Sequence, residues 1–244
     1  MPAVFVHGVP DTAGMWKPLI GHLSRKDVIA LPLPGFGCET PTDFNATKED
    51  YIDWLIVELE NFGEPVDLVG HDWGAILVQR VAALRTDLVK TLASGSGPLD
   101  AEYEWHPMAQ AWQQQEVGEQ IFSTLLGQPS EARAAMFVTG GAPPALATSQ
   151  AEQLDERMGR CILSLYRSAI AVGAEWQASV EAMDQRPALV MWGADDPYCP
   201  PRFAERQAER TNARLLVFNE CSHWWPSERA KEAALELEQH WATA

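Results

Sequence analysis

The 244-residue sequence predicts an α/β fold: a parallel six-stranded sheet flanked by helices and interrupted once by a helical insertion. Three observations carry that expectation. Short apolar runs alternate with helical patterns, as they do in sheets built from βα units. Six such runs are present, each of a length that suits a strand covered on both faces. The alternation then stops between about Leu99 and Met183, where helical patterns follow one another without a convincing strand.

The runs expected as strands are residues 3–6, 28–31, 66–70, 89–94, 188–192 and 215–218. Between the second and third, residues 51–61 place Ile52, Leu55, Ile56 and Leu59 at the spacing of one face of an amphipathic helix. Residues 75–84 and 228–241 read the same way. The interrupting stretch is rich in Gln and Ala, carries Trp105, Trp112 and Trp176, and includes an Ala-Pro-Pro-Ala loop at 142–145. It begins after the Gly-Ser-Gly-Pro turn at 95–98 and ends before Arg186-Pro187 restarts the sheet. The expected division is therefore a core of 1–98 with 184–244, and a helical cap of 99–183.

Composition narrows the function classes. A hydrophobic fraction of 46% with 21% charged residues is that of a soluble globular domain, and one large domain suits this length. With 34 acidic against 18 basic residues, the net charge of -16 repels phosphate backbones and anionic lipid, so neither nucleic acid nor membrane is expected as a partner. Cys38, Cys161, Cys199 and Cys221 are scattered without C-x-x-C spacing, which suggests neither a zinc site nor a disulfide framework. No basic leader precedes the first apolar run and no run reaches membrane-spanning length, so a cytoplasmic location is expected.

Four motifs carry chemistry. Gly70-His71-Asp72-Trp73-Gly74 lies between a strand and a helix, the context of a nucleophile elbow with aspartate where serine is usual. An aspartate before a helix can also be a plain cap, but that leaves both glycines unexplained. His7-Gly8-Val9-Pro10 follows the first strand, where the backbone N–H groups of Val9 and Trp73 could converge on one oxygen. Asp195 and Asp196 follow the fifth strand, and Asp196 is the favoured partner of His223, which follows the sixth. The order nucleophile, acid, histidine is the one expected on such a sheet.

Together these motifs resemble the α/β-hydrolase superfamily, and within it the Asp-nucleophile branch of epoxide hydrolases and haloalkane dehalogenases. Leu33-Pro34-Gly35-Phe36-Gly37 is similar to a further family loop, and the resemblance covers nearly the whole chain. It implies an α/β-hydrolase fold whose first two strands are missing, leaving a wholly parallel sheet with an uncovered edge that could invite a homodimer. It also implies a covalent alkyl ester on Asp72, hydrolysed by water that His223 deprotonates under the orientation of Asp196. Val9 and Trp73 would form the oxyanion hole. No metal or organic cofactor is implied.

The two branches differ at the leaving group. Epoxide hydrolases use a pair of cap tyrosines, and Leu165-Tyr166-Arg167 resembles the motif of one of them. The segment around Trp112 is similar to that of the other, but Gln113 stands in the tyrosine's place. Dehalogenases cradle halide with indole or amide N–H groups, and Trp73 with Trp105, Trp112 or Trp176 could do so, although Val9 stands where one subgroup has asparagine. The expectation is hydrolysis of a small apolar epoxide to a diol with Tyr166 as proton donor and Trp112 and Gln113 at the substrate. Halide release from a haloalkane is the alternative, and a ligand-binding module without turnover is the alternative of another class.

Overall fold

The computed structural model describes residues 1–183 and 186–243. Six strands, β1 (Ala3–Val6), β2 (Val28–Leu31), β3 (Val66–His71), β4 (Val89–Gly95), β5 (Ala188–Gly193) and β6 (Arg214–Phe218), form one sheet in the order β2-β1-β3-β4-β5-β6. Every pairing is parallel. The central strands β1, β3 and β5 are buried along their whole length, as helix-covered parallel strands must be. Side chains of β1 alternate: Val4 and Val6 pack into the core on one face, Ala3 and Phe5 into the core on the other.

One polar residue interrupts β3, and its partners are built in. Asp67 accepts from Arg25 Nη1 at 2.7 Å and from Thr91 Oγ1 at 2.8 Å, so its carboxylate is paired where it is buried. Helix Trp73–Leu84 follows β3 and is buried over most of its surface, which fits its nearly unbroken apolar sequence.

Helix boundaries depart from the sequence expectation at three places, the first being the helix expected over 75–84, which begins at Trp73. The helix expected over 51–61 spans Lys48–Glu60, because Thr47 and Asp50 form a capping box that starts it earlier. The helix expected over 228–241 is two helices, Trp225–Glu228 and Ala230–Ala242, separated at Arg229.

Between β4 and β5 the described residues form six helices and no strand: Pro107–Gln113, Val117–Leu126, Ser130–Thr139, Pro144–Gln153, Glu156–Ser168 and Val172–Glu181. The expected junction at 184 falls on residues 184 and 185, outside the described residues. At the other junction, Asp100 has a fully buried side chain flanked by Arg206 and Arg210 of helix Arg202–Thr211. That double pairing ties the chain just after β4 to the helix between β5 and β6. No described helix is long and apolar enough to cross a membrane.

Candidate active site

β3 ends at His71 and the next helix begins at Trp73, so Asp72 alone must turn the chain. It does so at φ 54°, ψ -124°, a conformation that costs a non-glycine residue about 1–3 kcal/mol. Neighbouring contacts hold the turn in place. The Asp72 N–H donates to the Gly95 carbonyl at 3.0 Å, and a Cβ on Gly74 would come within 2.1 Å of the Val6 carbonyl oxygen. The elbow therefore lies tight against the sheet and presents the Asp72 carboxylate to a cavity.

The loop after β1 closes on that carboxylate. Val9 N–H donates to Asp72 Oδ1 at 2.7 Å, an approach that requires glycine beside it, since a Cβ on Gly8 would meet the same oxygen at 2.2 Å. Trp73 is the first residue of the helix that follows, so its amide is one of those without an intrahelical acceptor. His7 is structural: its Nε2 accepts from Leu33 N–H at 3.0 Å, and burial lowers its pKa to about 4, which keeps it neutral.

His223 stands between two carboxylates. Its Nδ1 lies 2.9 Å from Asp196 Oδ2 and its Nε2 lies 3.5 Å from Asp72 Oδ2. The other oxygen of Asp196 accepts the N–H groups of Tyr198 and Cys199, both at 2.9 Å. Asp195 is exposed and only its backbone N–H is engaged, with the Cys221 carbonyl. Burial opposes a charged imidazole, but Asp196 and Asp72 outweigh it and raise the His223 pKa to about 10. Burial likewise opposes the Asp72 charge, yet the hydrogen bond and charge of His223 hold its pKa below the ordinary value. Asp196, Cys199 and His223 also lie within 4.8 Å of one another, a metal-like spacing. Their hydrogen bonds account for it: the Cys199 thiol donates to the Ser96 carbonyl and burial raises its pKa well above the ordinary value.

The carboxylate opens on a cavity of about 810 Å³ between the sheet and the inserted helices. Val9, Asp72, Trp112, Tyr166 and His223 all line it. Its described lining contains no Lys or Arg, and Asp72 is its one carboxylate. Tyr166 is packed edge-on against Trp73, Trp105 and Trp112, with ring centroids 5.0–5.3 Å away. Burial and the nearby Asp72 charge push its phenol well above the ordinary pKa, so it keeps its proton.

Several expected residues are not where the sequence put them. Gln113 is not among the described residues lining the cavity. It follows Trp112 in helix Pro107–Gln113, and consecutive helical residues point about 100° apart. Of the other candidate halide donors, Trp105 gives its N–H to the Ala169 carbonyl, and Trp176 packs beneath Lys48 and Arg80, away from the cavity. Trp73 is buried behind the lining, stacked on Trp105 at 5.4 Å. Conversely, Tyr103, His106 and Tyr198 face the cavity without having stood out in the sequence. His71, inside the elbow motif, lies 2.9 Å through Nε2 from the backbone oxygen of His223 and so braces that residue.

Residues 3–237 match the alpha/beta hydrolase family. The chain belongs to that family. Within it, a 99-residue stretch is 38% identical to (E)-2-((N-methylformamido)methylene)succinate hydrolase of Acinetobacter baylyi, covering 39% of this chain and 37% of that one. A stretch of the same length is 35% identical to epoxide hydrolase 2 of Siraitia grosvenorii, covering 38% and 31%. The chain thus spans about a third of the length of these curated relatives. Among solved structures, the haloalkane dehalogenase DbeA of Bradyrhizobium elkani superposes with a TM-score of 0.76 at 20% identity, over 100% of this chain and 91% of the other. At that identity the likeness speaks for the fold alone.

Proposed function

We propose that this member of the alpha/beta hydrolase family is a hydrolase that opens an epoxide to a vicinal diol through an alkyl ester on Asp72. The observation that carries the reading is the division of labour between the two oxygens of Asp72. Oδ1 accepts from Val9 N–H at 2.7 Å, while Oδ2 faces the cavity side and His223. An aspartate so held can attack a saturated carbon in line with Oδ2. The new C–O bond forms as the epoxide C–O bond breaks, and the electron pair goes to the epoxide oxygen, which takes its proton from Tyr166.

Hydrolysis of the ester uses the same frame. Water adds to Cγ of Asp72, giving its proton to His223 Nε2, and negative charge grows on Oδ1 beside the Val9 and Trp73 amides. Cleavage of the Cγ–Oδ2 bond, with the proton on His223 passing to the leaving alkoxide and the acid proton left on Asp72 returning to the Tyr166 phenolate, releases the diol and restores the carboxylate. Ester formation also prepares the base: once Asp72 is neutral, one of the two charges that keep His223 protonated is gone.

The cavity supports a neutral substrate. A succinate-type dianion, of the kind in the name of the Acinetobacter relative, would meet no Lys or Arg in the described lining, where the charge of His223 is already held between Asp72 and Asp196. Haloalkane dehalogenation is the second reading, favoured by one observation: the indole N–H of Trp112, a residue of the cavity wall, is buried without a hydrogen-bond acceptor. The test is His223→Gln exposed to matched epoxides and haloalkanes, followed by intact-protein mass spectrometry, with diol and halide release measured on the unsubstituted protein. An adduct on Asp72 from the epoxide, with diol release, is the expected result. Normal turnover by His223→Gln would overturn the roles, halide release without diol would select the second reading, and binding without turnover would make the protein a ligand-binding module.

A further inference from the structure

One buried acid near the site has no part in the ester chemistry. Asp11 lies two residues beyond Val9 and is 2% exposed. Its Oδ1 accepts from Gln150 Nε2 at 2.8 Å, and Gln150, in helix Pro144–Gln153 of the insertion, is itself 2% exposed. Its Oδ2 accepts from the indole N–H of Trp224 at 3.3 Å, and Trp224 adjoins His223. Gln150 and Trp224 both line the cavity, and Ala142, Ala147 and Trp224 form a small separate core there. Three segments distant in sequence, the loop after β1, an inserted helix and the loop that carries His223, therefore meet on one carboxylate.

We propose that Asp11 is a positioning residue: its carboxylate pins helix Pro144–Gln153 to the His223 loop and so sets where the cavity wall stands relative to the imidazole. The pin is built from side chains alone, because helix Pro144–Gln153 shares no backbone ladder with that loop. It also fixes Trp224, and through the adjoining peptide the approach of His223 to Asp72. The titratable groups facing Asp11 are Asp72 from the elbow and His223 from the loop, whereas Gln150 and Trp224 are neutral. Burial raises the Asp11 pKa to about 7, so the pin changes charge in the neutral range. Protonation leaves it intact, since Gln150 Oε1 is buried without a partner and can accept the new O–H once the amide turns over.

That chemistry defines the test. In Asp11→Asn the amide oxygen can accept from Trp224 and the amide N–H can donate to Gln150 Oε1, so both bonds survive without a charge. In Asp11→Ala both are lost. Hydrogen exchange over residues 144–153 is the direct readout and needs no substrate. It is expected to speed up about tenfold in Asp11→Ala, the scale of losing one such hydrogen bond, and to stay near the unsubstituted rate in Asp11→Asn. Trp224→Phe, which removes the N–H together with the five-membered half of the indole, gives the same readout from the other side should Asp11→Ala fail to fold.

The role in positioning rests on the ester reading and is read separately. Asp11→Ala is expected to lower kcat about tenfold with KM changed less. Asp11→Asn should keep kcat and the shape of its pH profile, because the pin survives loss of the charge. Unchanged exchange over 144–153 in Asp11→Ala, or in Trp224→Phe where the alanine variant does not fold, would overturn the pin. Faster exchange in Asp11→Ala with kcat unmoved would overturn the positioning role. Faster exchange in a protein that turns over none of the substrates leaves the pin standing and removes the ester reading instead.

Discussion

Tyr166 keeps its proton in the free protein and sits against Trp112, whose buried N–H has no acceptor, so its replacement separates the two leaving groups. Tyr166→Phe is expected to lower epoxide turnover about 10²-fold or more, the scale of general-acid assistance, and to spare any halide release. Initial rates on matched epoxides and haloalkanes measure it. A second expectation concerns His223, whose pKa of about 10 depends in part on the Asp72 charge. In the ester that charge is absent, so breakdown of the adduct should follow an apparent pKa clearly below that of the resting imidazole. Rapid-quench mass spectrometry against pH, set beside an NMR titration of the free protein, would show this. Equal values would mean that Asp72 does not hold the proton. At this scale the sequence made Asp72, Asp196 and His223 legible because each stands in a short motif at a strand end. Asp11, Tyr103, His106 and Tyr198 had no such motif, and membership of a cavity wall depends on tertiary packing that local pattern does not encode.

Helix Lys48–Glu60 illustrates how capping governs an element. Thr47 Oγ1 accepts from Asp50 N–H at 3.2 Å, and Asp50 Oδ2 accepts from Thr47 N–H at 3.1 Å. The usual sequence signature has Glu or Gln at the last position of the box, and the shorter aspartate hides the start from an apolar-periodicity reading. Thr47→Ala should cost about 1 kcal/mol of stability, measurable as a shift of the urea midpoint at unchanged slope. Strands were the more legible elements, because continuous burial leaves an uninterrupted apolar run, as in β1 and β5. Edge strand β6 was read one residue short because Arg214, exposed and paired with Glu236, breaks that run. The split at Arg229 has no counterpart in the apolar pattern.

Across the whole molecule, the buried ionisable groups set opposing pH trends. His7 and His71 both have pKa values lowered to about 4 by burial, so the stability they confer is present above about 6.5 and is lost as pH falls through 4. His223, raised to about 10, confers stability below about 6.5 that is lost as pH rises through 10. Asp11, raised to about 7, confers stability below its ordinary value of 3.8 that is lost as pH rises through 7. His106, lowered to about 4 as well, acts with His7 and His71 below pH 6.5 and together they outweigh Asp11, while above that pH the losses from Asp11 and His223 add, so the stability maximum lies near 6.5. Urea unfolding at pH 4.5, 6.5 and 9 should show it, with a steeper acid limb in Asp11→Asn, in which the opposing acid is gone. The sheet order carries a consequence of another kind. From β4 onward each strand pairs with the one made just before it, so the sheet can extend along one edge as the chain leaves the ribosome. The elbow is thus laid down early, while the histidine arrives only with the loop after the final strand. Until the loop after β6 has been made, the chain carries the Asp72 carboxylate with no imidazole beside it.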